Sequence, residues 1–169
     1  MGQTGKRCAV AAVLALAALL PQAPLLKTSD TGLALIADLE GCRTSPYQCS
    51  AGIWTNGIGH TAGVTPHSHL TERQAAVNLV EDVGRVERGI DACMPVAMPS
   101  PVYDAVVSFA FNVGVHAACT STLAGFIRQQ NWRPACGQLV RWVYVRGQRN
   151  QGLVNRRARE TAYCLTGAA

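Results

Sequence analysis

Seven cysteines lie along 169 residues, and no two of them form a Cys-x-x-Cys pair. Each bond between such residues ties distant segments together, so the cysteines constrain the fold more than any other feature. A cytosolic chain rarely carries this many without a metal cluster, and metal sites favour closely spaced pairs. The better reading is an oxidising compartment, with one thiol left over after the others pair. Spacing alone does not choose the pairs, because roughly a hundred arrangements of seven are possible.

The N-terminus agrees with export. After Lys6 and Arg7 the chain is apolar without a break from Cys8 to Leu20, and Pro21, Gln22, Ala23 and Pro24 follow. A helix this long covers about 20 Å of a hydrocarbon core of about 30 Å, and its many alanines make it weakly hydrophobic. One reading is a cleaved signal peptide, although Pro21-Gln22-Ala23 fits a small-residue cleavage site poorly. The other is an uncleaved segment that spans the membrane only marginally and leaves it. Cys8 has no evident use in a segment that is discarded.

The remaining chain is long enough for one domain, expected over residues 28 to 169 behind an N-terminal segment and linker at 1 to 27. The formal charge of +5 conceals a segregation: residues 28 to 127 hold four arginines against nine acids, whereas 128 to 169 hold eight arginines against Glu160 alone. Ser29 or Asp30 can cap a helix over 30 to 41, with Leu33, Ile36, Ala37 and Glu40 on one face. Turn residues between Pro46 and His60 predict a short β-hairpin or meander. Thr71 with Gln74 has the form of a capping box for a helix running to about Cys93. Ser100-Pro101 opens another that stops at Gly114. Helices are also expected over 120 to 131 and 134 to 145, and a last one capped by Asn155. The fold class is α+β, mainly α, with a small β region near the start.

Chemistry concentrates between Glu40 and Thr55. Glu40 ends an amphipathic helix and runs directly into a Gly-rich hairpin, where a carboxyl can project into a site. Eight residues separate Glu40 from Cys49, and five separate Cys49 from Thr55. The string from Leu39-Glu40-Gly41-Cys42 to Trp54-Thr55-Asn56-Gly57-Ile58-Gly59-His60 resembles the phage-type lysozymes of glycoside hydrolase family 24. Their motif is Glu, eight residues, Asp or Cys, five residues, Thr. Ser108-Phe109-Ala110-Phe111-Asn112-Val113-Gly114, and Gly152-Leu153 ahead of Arg156-Arg157 and Cys164, extend the resemblance over roughly residues 28 to 166.

That resemblance implies a lysozyme-like helical domain that opens the β-1,4 link between N-acetylmuramic acid and N-acetylglucosamine in peptidoglycan, without a cofactor. Glycoside hydrolysis normally takes two carboxyls. Glu40 suits the general acid, Thr55 suits the orienting of a water, and Cys49 stands where a second carboxylate is usual. A thiol serves there only when free and at least partly ionised. The resemblance also turns Arg156 or Arg157 toward the catalytic Glu. Because a cation there opposes an acid role, these arginines are read as partly structural, tying the last helix to the first.

Among relatives with a signal-arrest-release segment, a subgroup places cysteines where this chain has Cys8, Cys42 and Cys49. The resemblance implies that a Cys42–Cys49 bond first cages the site, and that Cys8, on leaving the membrane, takes Cys42 and frees Cys49. Cys93 would then pair with Cys119 and Cys136 with Cys164. The expected protein is an endolysin, a monomer, carried out by the host export machinery, held at the inner membrane facing the periplasm and then released. A secreted lysozyme with a cleaved signal peptide and a non-catalytic peptidoglycan-binding module are the alternatives.

Two other constellations carry less. His60, His67 and His69 with Cys42 or Cys49 match no closed zinc spacing, so no metal is expected and the histidines read as surface loop residues. Arg141, Arg146, Arg149, Arg156, Arg157 and Arg159, interleaved with Trp132, Trp142 and Tyr144, have the composition of a nucleic-acid surface. Leu139, Trp142 and Val143 also fit a buried helix stripe, and an exported protein would not meet nucleic acid, so no such partner is expected.

Overall fold

The apolar run at the N-terminus does not remain one long helix. A computed structural model describes residues 6–169; the first five residues of the expected N-terminal segment lie outside them. The run forms α1, Val10–Ala18, and then a single 3-10 turn at Ala23–Leu25 with Pro24 inside it. Nine helical residues rise only about 13 Å. Among the described residues no helix is long and apolar enough to cross a membrane. Val13, Ala17 and Leu20 are buried, at the spacing that puts side chains on one helix face, while Ala11, Ala15, Ala18 and Leu19 are exposed.

The chain divides into two units. The first holds the N-terminal segment through Lys27 together with Ile36–Gly84, and the second holds Thr28–Leu35 and Arg85–Ala169. In the first, the end of α2 (Asp30–Glu40) leads into an antiparallel hairpin of β1 (Arg43–Gln48) and β2 (Trp54–Gly57). Tyr47 faces Thr55 and Gln48 faces Trp54, with an irregularity between Arg43 and Tyr47. Pro46, which has no amide to give, lies in that irregular stretch. The hairpin therefore starts three residues earlier than the turn signals suggest. Ile36, Ala37, Ile58, Ala75, Leu79 and Val83 are buried in this unit.

Helix α3 (Glu72–Cys93) begins in the first unit. The Thr71 hydroxyl accepts from the Gln74 amide at 3.1 Å, but the Gln74 side chain donates to Asn78 at 2.9 Å. Only half of the expected capping box forms.

In the second unit, Ser29 caps α2 by accepting from the Gly32 amide at 3.1 Å. The buried Asp104 carboxylate fixes that cap by accepting from the Ser29 amide at 2.9 Å and from the Tyr163 hydroxyl at 2.8 Å. Gly32 permits this approach, since a Cβ there would meet Asp104 at 2.5 Å. Asp104 belongs to α4 (Ser100–Val113), which ends at Gly114 with φ 92° as the sequence suggests. The α4 cap is Pro99, with Ser100 already inside the first turn.

Three short helices follow, α5 (Val115–Thr120), α6 (Thr122–Arg128) and α7 (Trp132–Gln138), in place of the two expected. The segment expected to continue as helix to residue 145 becomes a second small hairpin, β3 (Tyr144–Val145) with β4 (Gln148–Arg149). Arg146 and Gly147 turn it with φ of 49° and 77°. The last helix, α8 (Gln151–Thr166), is capped five residues earlier than expected, because Asn150 and not Asn155 receives an amide, that of Leu153, at 3.0 Å. The chain is mainly helical with small antiparallel hairpins, the class expected.

Candidate active site

Glu40 is the last residue of α2, and the backbone after it explains where its carboxyl goes. Gly41 takes φ 69°, and its amide closes on the Ala37 carbonyl at 2.9 Å. A residue in this left-handed region ends a helix and redirects the chain, and glycine adopts it without steric cost. The next residues are Cys42, which is buried, and then β1. Glu40 is thus half-buried where helix gives way to hairpin.

At the far end of β1 the chain reverses at Cys49. The Cys49 carbonyl accepts from the Gly52 amide at 2.8 Å, and the Cys49 amide donates to the Ile53 carbonyl at 3.0 Å. Gly52, at φ 77°, completes the turn. Thr55 is buried in β2, and its hydroxyl donates to the Ile53 carbonyl at 3.1 Å.

These positions share one electrostatic neighbourhood in the first unit. Desolvation works against ionisation of the Cys49 thiol, but hydrogen bonds from the Ala51 and Ile53 backbone and from the Thr55 hydroxyl outweigh it, and the thiol's pKa falls below its ordinary value. The single Thr55 proton has two acceptors, the Ile53 carbonyl and the Cys49 sulfur. A negative sulfur is the stronger one, so ionisation of Cys49 draws the hydroxyl to it. Tyr47 lies among the same groups: desolvation and then the Glu40 carboxylate raise its pKa, Arg43 opposes this, and Cys49 adds to it. The Arg43 guanidinium stacks 4.4 Å from the Tyr47 ring centroid.

Tyr47 and Arg43 are neighbours of Glu40 and Cys49 that the sequence reading did not single out. Their signal was present, because residues 43 and 47 fall on the strand joining Glu40 to Cys49. Asp38, two residues before Glu40, is exposed and adds no second buried carboxyl.

The cysteines sort completely. Cys8 is bonded to Cys42, Cys93 to Cys119 and Cys136 to Cys164, and Cys49 is free. The bond from Cys8 belongs to a larger attachment. Residues 6 to 8 pair with residues 42 to 44, through Cys8 N–H to the Cys42 carbonyl at 3.2 Å and Thr44 N–H to the Lys6 carbonyl at 2.9 Å.

Arg156 and Arg157 are buried in the second unit and close on Glu160, which is fully buried. Arg156 also donates to the Ser108 carbonyl at 3.0 Å, Ser108 donates to Glu160 at 2.7 Å, and Arg157 donates to Asn112. Within the second unit these arginines tie α8 to α4. They bring together the two later strings, Ser108 to Gly114 and Gly152 to Cys164.

Trp142 turns edge-on to Phe109 with ring centroids 5.1 Å apart, whereas Tyr144 is exposed. The basic series is therefore split, with Arg141, Arg146, Arg149 and Arg159 exposed and Arg156 and Arg157 inside. His67 and His69 are exposed as expected, but His60 is not a loop histidine at the surface. Its Nδ1 lies 2.7 Å from a carboxylate oxygen of the buried Asp82.

Three comparisons bear on this geometry. A family profile described as Phage lysozyme matches residues 37–160. The SAR-endolysin of Escherichia phage P1 is 34% identical over 154 residues, covering 84% of this chain and 83% of that protein. Among solved structures, the active form of the P1 phage endolysin Lyz superposes with a TM-score of 0.86 at 32% identity, covering 98% of both chains. The secreted inactive form of the same endolysin reaches a TM-score of 0.60 at 34% identity, over 84% of this chain and 97% of that one.

Proposed function

This chain belongs to the phage lysozyme family and is a lysozyme-type hydrolase of the endolysin kind, and from that premise we propose that it lyses the host by cleaving the β-1,4 bond between N-acetylmuramic acid and N-acetylglucosamine, under control of a thiol exchange. Glu40 is the general acid that protonates the glycosidic oxygen. The Cys49 thiolate supplies the negative charge that a second carboxylate supplies in most glycosidases, and the Thr55 hydroxyl stabilises that charge and orients the water. Tyr47, whose pKa is raised by desolvation and then by the Glu40 carboxylate, stays protonated beside Glu40 and Cys49.

Before activation the N-terminal segment lies in the inner membrane facing the periplasm, and Cys42 and Cys49 are bonded to each other. On release, the Cys8 thiolate attacks the Cys42 sulfur, the Cys8–Cys42 bond forms, the Cys42–Cys49 bond breaks, and Cys49 departs as the thiolate. The exchange conserves the disulfide count and needs no external oxidant. The observation that carries this reading is the identity of the one free cysteine, which is Cys49, the residue that the reading assigns to catalysis. The greater likeness to the active form of the P1 endolysin than to its inactive form supports it further. The pairing of residues 6 to 8 with 42 to 44 also favours a retained segment over a cleaved signal peptide.

The test is a disulfide map of membrane-bound and released protein, with lysis of purified cell walls measured on each. The free thiol is expected on Cys8 before release and on Cys49 after it, with activity only after. Cys49 oxidised in active enzyme would overturn the reading.

A further inference from the structure

Cys8 has two sulfurs within one small disulfide loop to attack, and only one choice liberates the thiol at the site. Taking Cys42 frees Cys49; taking Cys49 frees Cys42 and leaves the site blocked. Thiolate chemistry alone does not guarantee the right choice, because exchange depends on which sulfur is presented along the line of attack.

The structure holds a device that makes it. Residues 6 to 8 lie antiparallel to 42 to 44, with an isolated bridge between Arg7 and Arg43. Thr44 clamps the Lys6 carbonyl twice, with its amide at 2.9 Å and its hydroxyl at 3.0 Å. In this register Cys8 and Cys42 are opposite, with Cα atoms 5.1 Å apart, within disulfide reach. A slip of one residue would send the Cys8 side chain to the other face of the pair.

Two residues beyond Leu70, whose amide donates to the Thr44 carbonyl at 3.2 Å, Glu72 accepts the Ala9 amide at 2.9 Å. Ala9 is the residue that caps α1, and no side chain of its own serves its helix end. An anion at the start of a helix meets the unpaired amides and the positive end of the helix dipole. The Glu72 carboxylate thus holds α1 at the point where pairing with 42 to 44 ends and the helix begins.

We propose that Glu72 is a positioning residue for the exchange: by receiving the Ala9 amide it fixes the strand register of residues 6 to 8 on 42 to 44, so that Cys8 meets Cys42 and not Cys49. This rests on the exchange proposed above. Glu72 touches neither the sugar nor the reacting sulfurs, and it selects the product by docking the attacking strand.

The experiment releases full-length wild-type, Glu72→Ala and Glu72→Asp proteins from membranes, quenches with a thiol-blocking reagent at intervals and maps the disulfides. Wild type is expected to yield Cys8–Cys42. Glu72→Ala is expected to form it about tenfold more slowly, the scale of one lost hydrogen bond to a charged group, and to yield Cys8–Cys49 as a second, inactive product. Glu72→Asp should recover part of the selectivity.

In a Cys8→Ser, Cys42→Ser background, Cys49 is free without exchange. There Glu72→Ala should retain the activity of its parent, which separates register from folding. If wild type never transfers its bond from Cys42–Cys49 to Cys8–Cys42, the exchange reading fails. If wild type does so and Glu72→Ala matches it in rate and product, the positioning role alone is overturned. Loss of activity for Glu72→Ala in the free-thiol background would also overturn it.

Discussion

Cys136 and Cys164 are both buried and join α7 to α8, the helix that the Arg156–Arg157–Glu160 cluster also ties to α4. Cys8, by contrast, is half-buried on a short paired segment, and its bond to Cys42 is accompanied by a few hydrogen bonds at the edge of the first unit. The same covalent bond does different work in the two places. In the second unit it adds to an arrangement already closed by buried charge and apolar side chains. In the first it completes an attachment that only a few hydrogen bonds otherwise hold.

The sharpest way to break this contrast is to remove function from one unit and stability from the other. Glu40→Gln is expected to lower lysis of purified cell walls by about 10²- to 10⁴-fold while leaving the thermal unfolding midpoint near that of wild type. Glu160→Ala should do the reverse. It takes the buried carboxylate away from two buried guanidiniums and lowers unfolding stability in urea by about 3–5 kcal/mol, with any surviving folded fraction still active.

The disulfides give the next test. Replacing both Cys136 and Cys164 by Ala is expected to cost about 3.5 kcal/mol, by loop-closure entropy. Replacing both Cys8 and Cys42 by Ala should instead give a chain active from synthesis, because Cys49 has no partner to cage it. Equal activity and equal stability loss in the two double variants would erase the distinction drawn here.

Smaller effects probe the site itself. Because the Cys49 pKa is lowered, its alkylation by iodoacetamide should reach half-maximal rate at a lower pH than that of an unperturbed thiol measured alongside it. Activity should fall as pH drops through that same midpoint, since the thiolate is then lost. Thr55→Val removes one of the hydrogen bonds that lowers it and should move the midpoint upward. Gly52→Ala, which forces a side chain into the left-handed region at the turn beside Cys49, is expected to cost about 1 kcal/mol, measured by thermal unfolding.

How far sequence carried the fold depended on contrast between neighbouring residues. Helix α2 and the stop at Gly114 were legible because polar and apolar residues alternate at the helical period and glycine marks the end. Residues 134 to 145 misled because Leu139, Trp142 and Val143 fit a helical stripe, while the decisive signal was Gly147, which turns the β3–β4 hairpin at positive φ. Asn155 looked like a cap, but Asn150 sits at the hairpin exit and reached the orphan amides first.

In the site, the spacing of Glu40, Cys49 and Thr55 was readable from the resemblance. The stacking of Arg43 on Tyr47 was not, since it depends on the irregular strand around Pro46. Glu72 was not legible at all, because a carboxylate that serves another segment's backbone leaves no mark on its own neighbours.

The outward face of α1 has a consequence of its own. Three of its exposed positions, 11, 15 and 18, are alanines. Alanine is the residue that tolerates both solvents: its methyl is apolar enough to rest in oil and small enough to stand in water at little cost. A segment proposed to begin in one phase and finish in the other cannot be tuned for either. Leucine at those sites would lengthen its stay in the bilayer, and lysine would forbid entry. On that proposal the number of methyl groups the helix presents would set part of the interval before lysis, and composition would act as a clock.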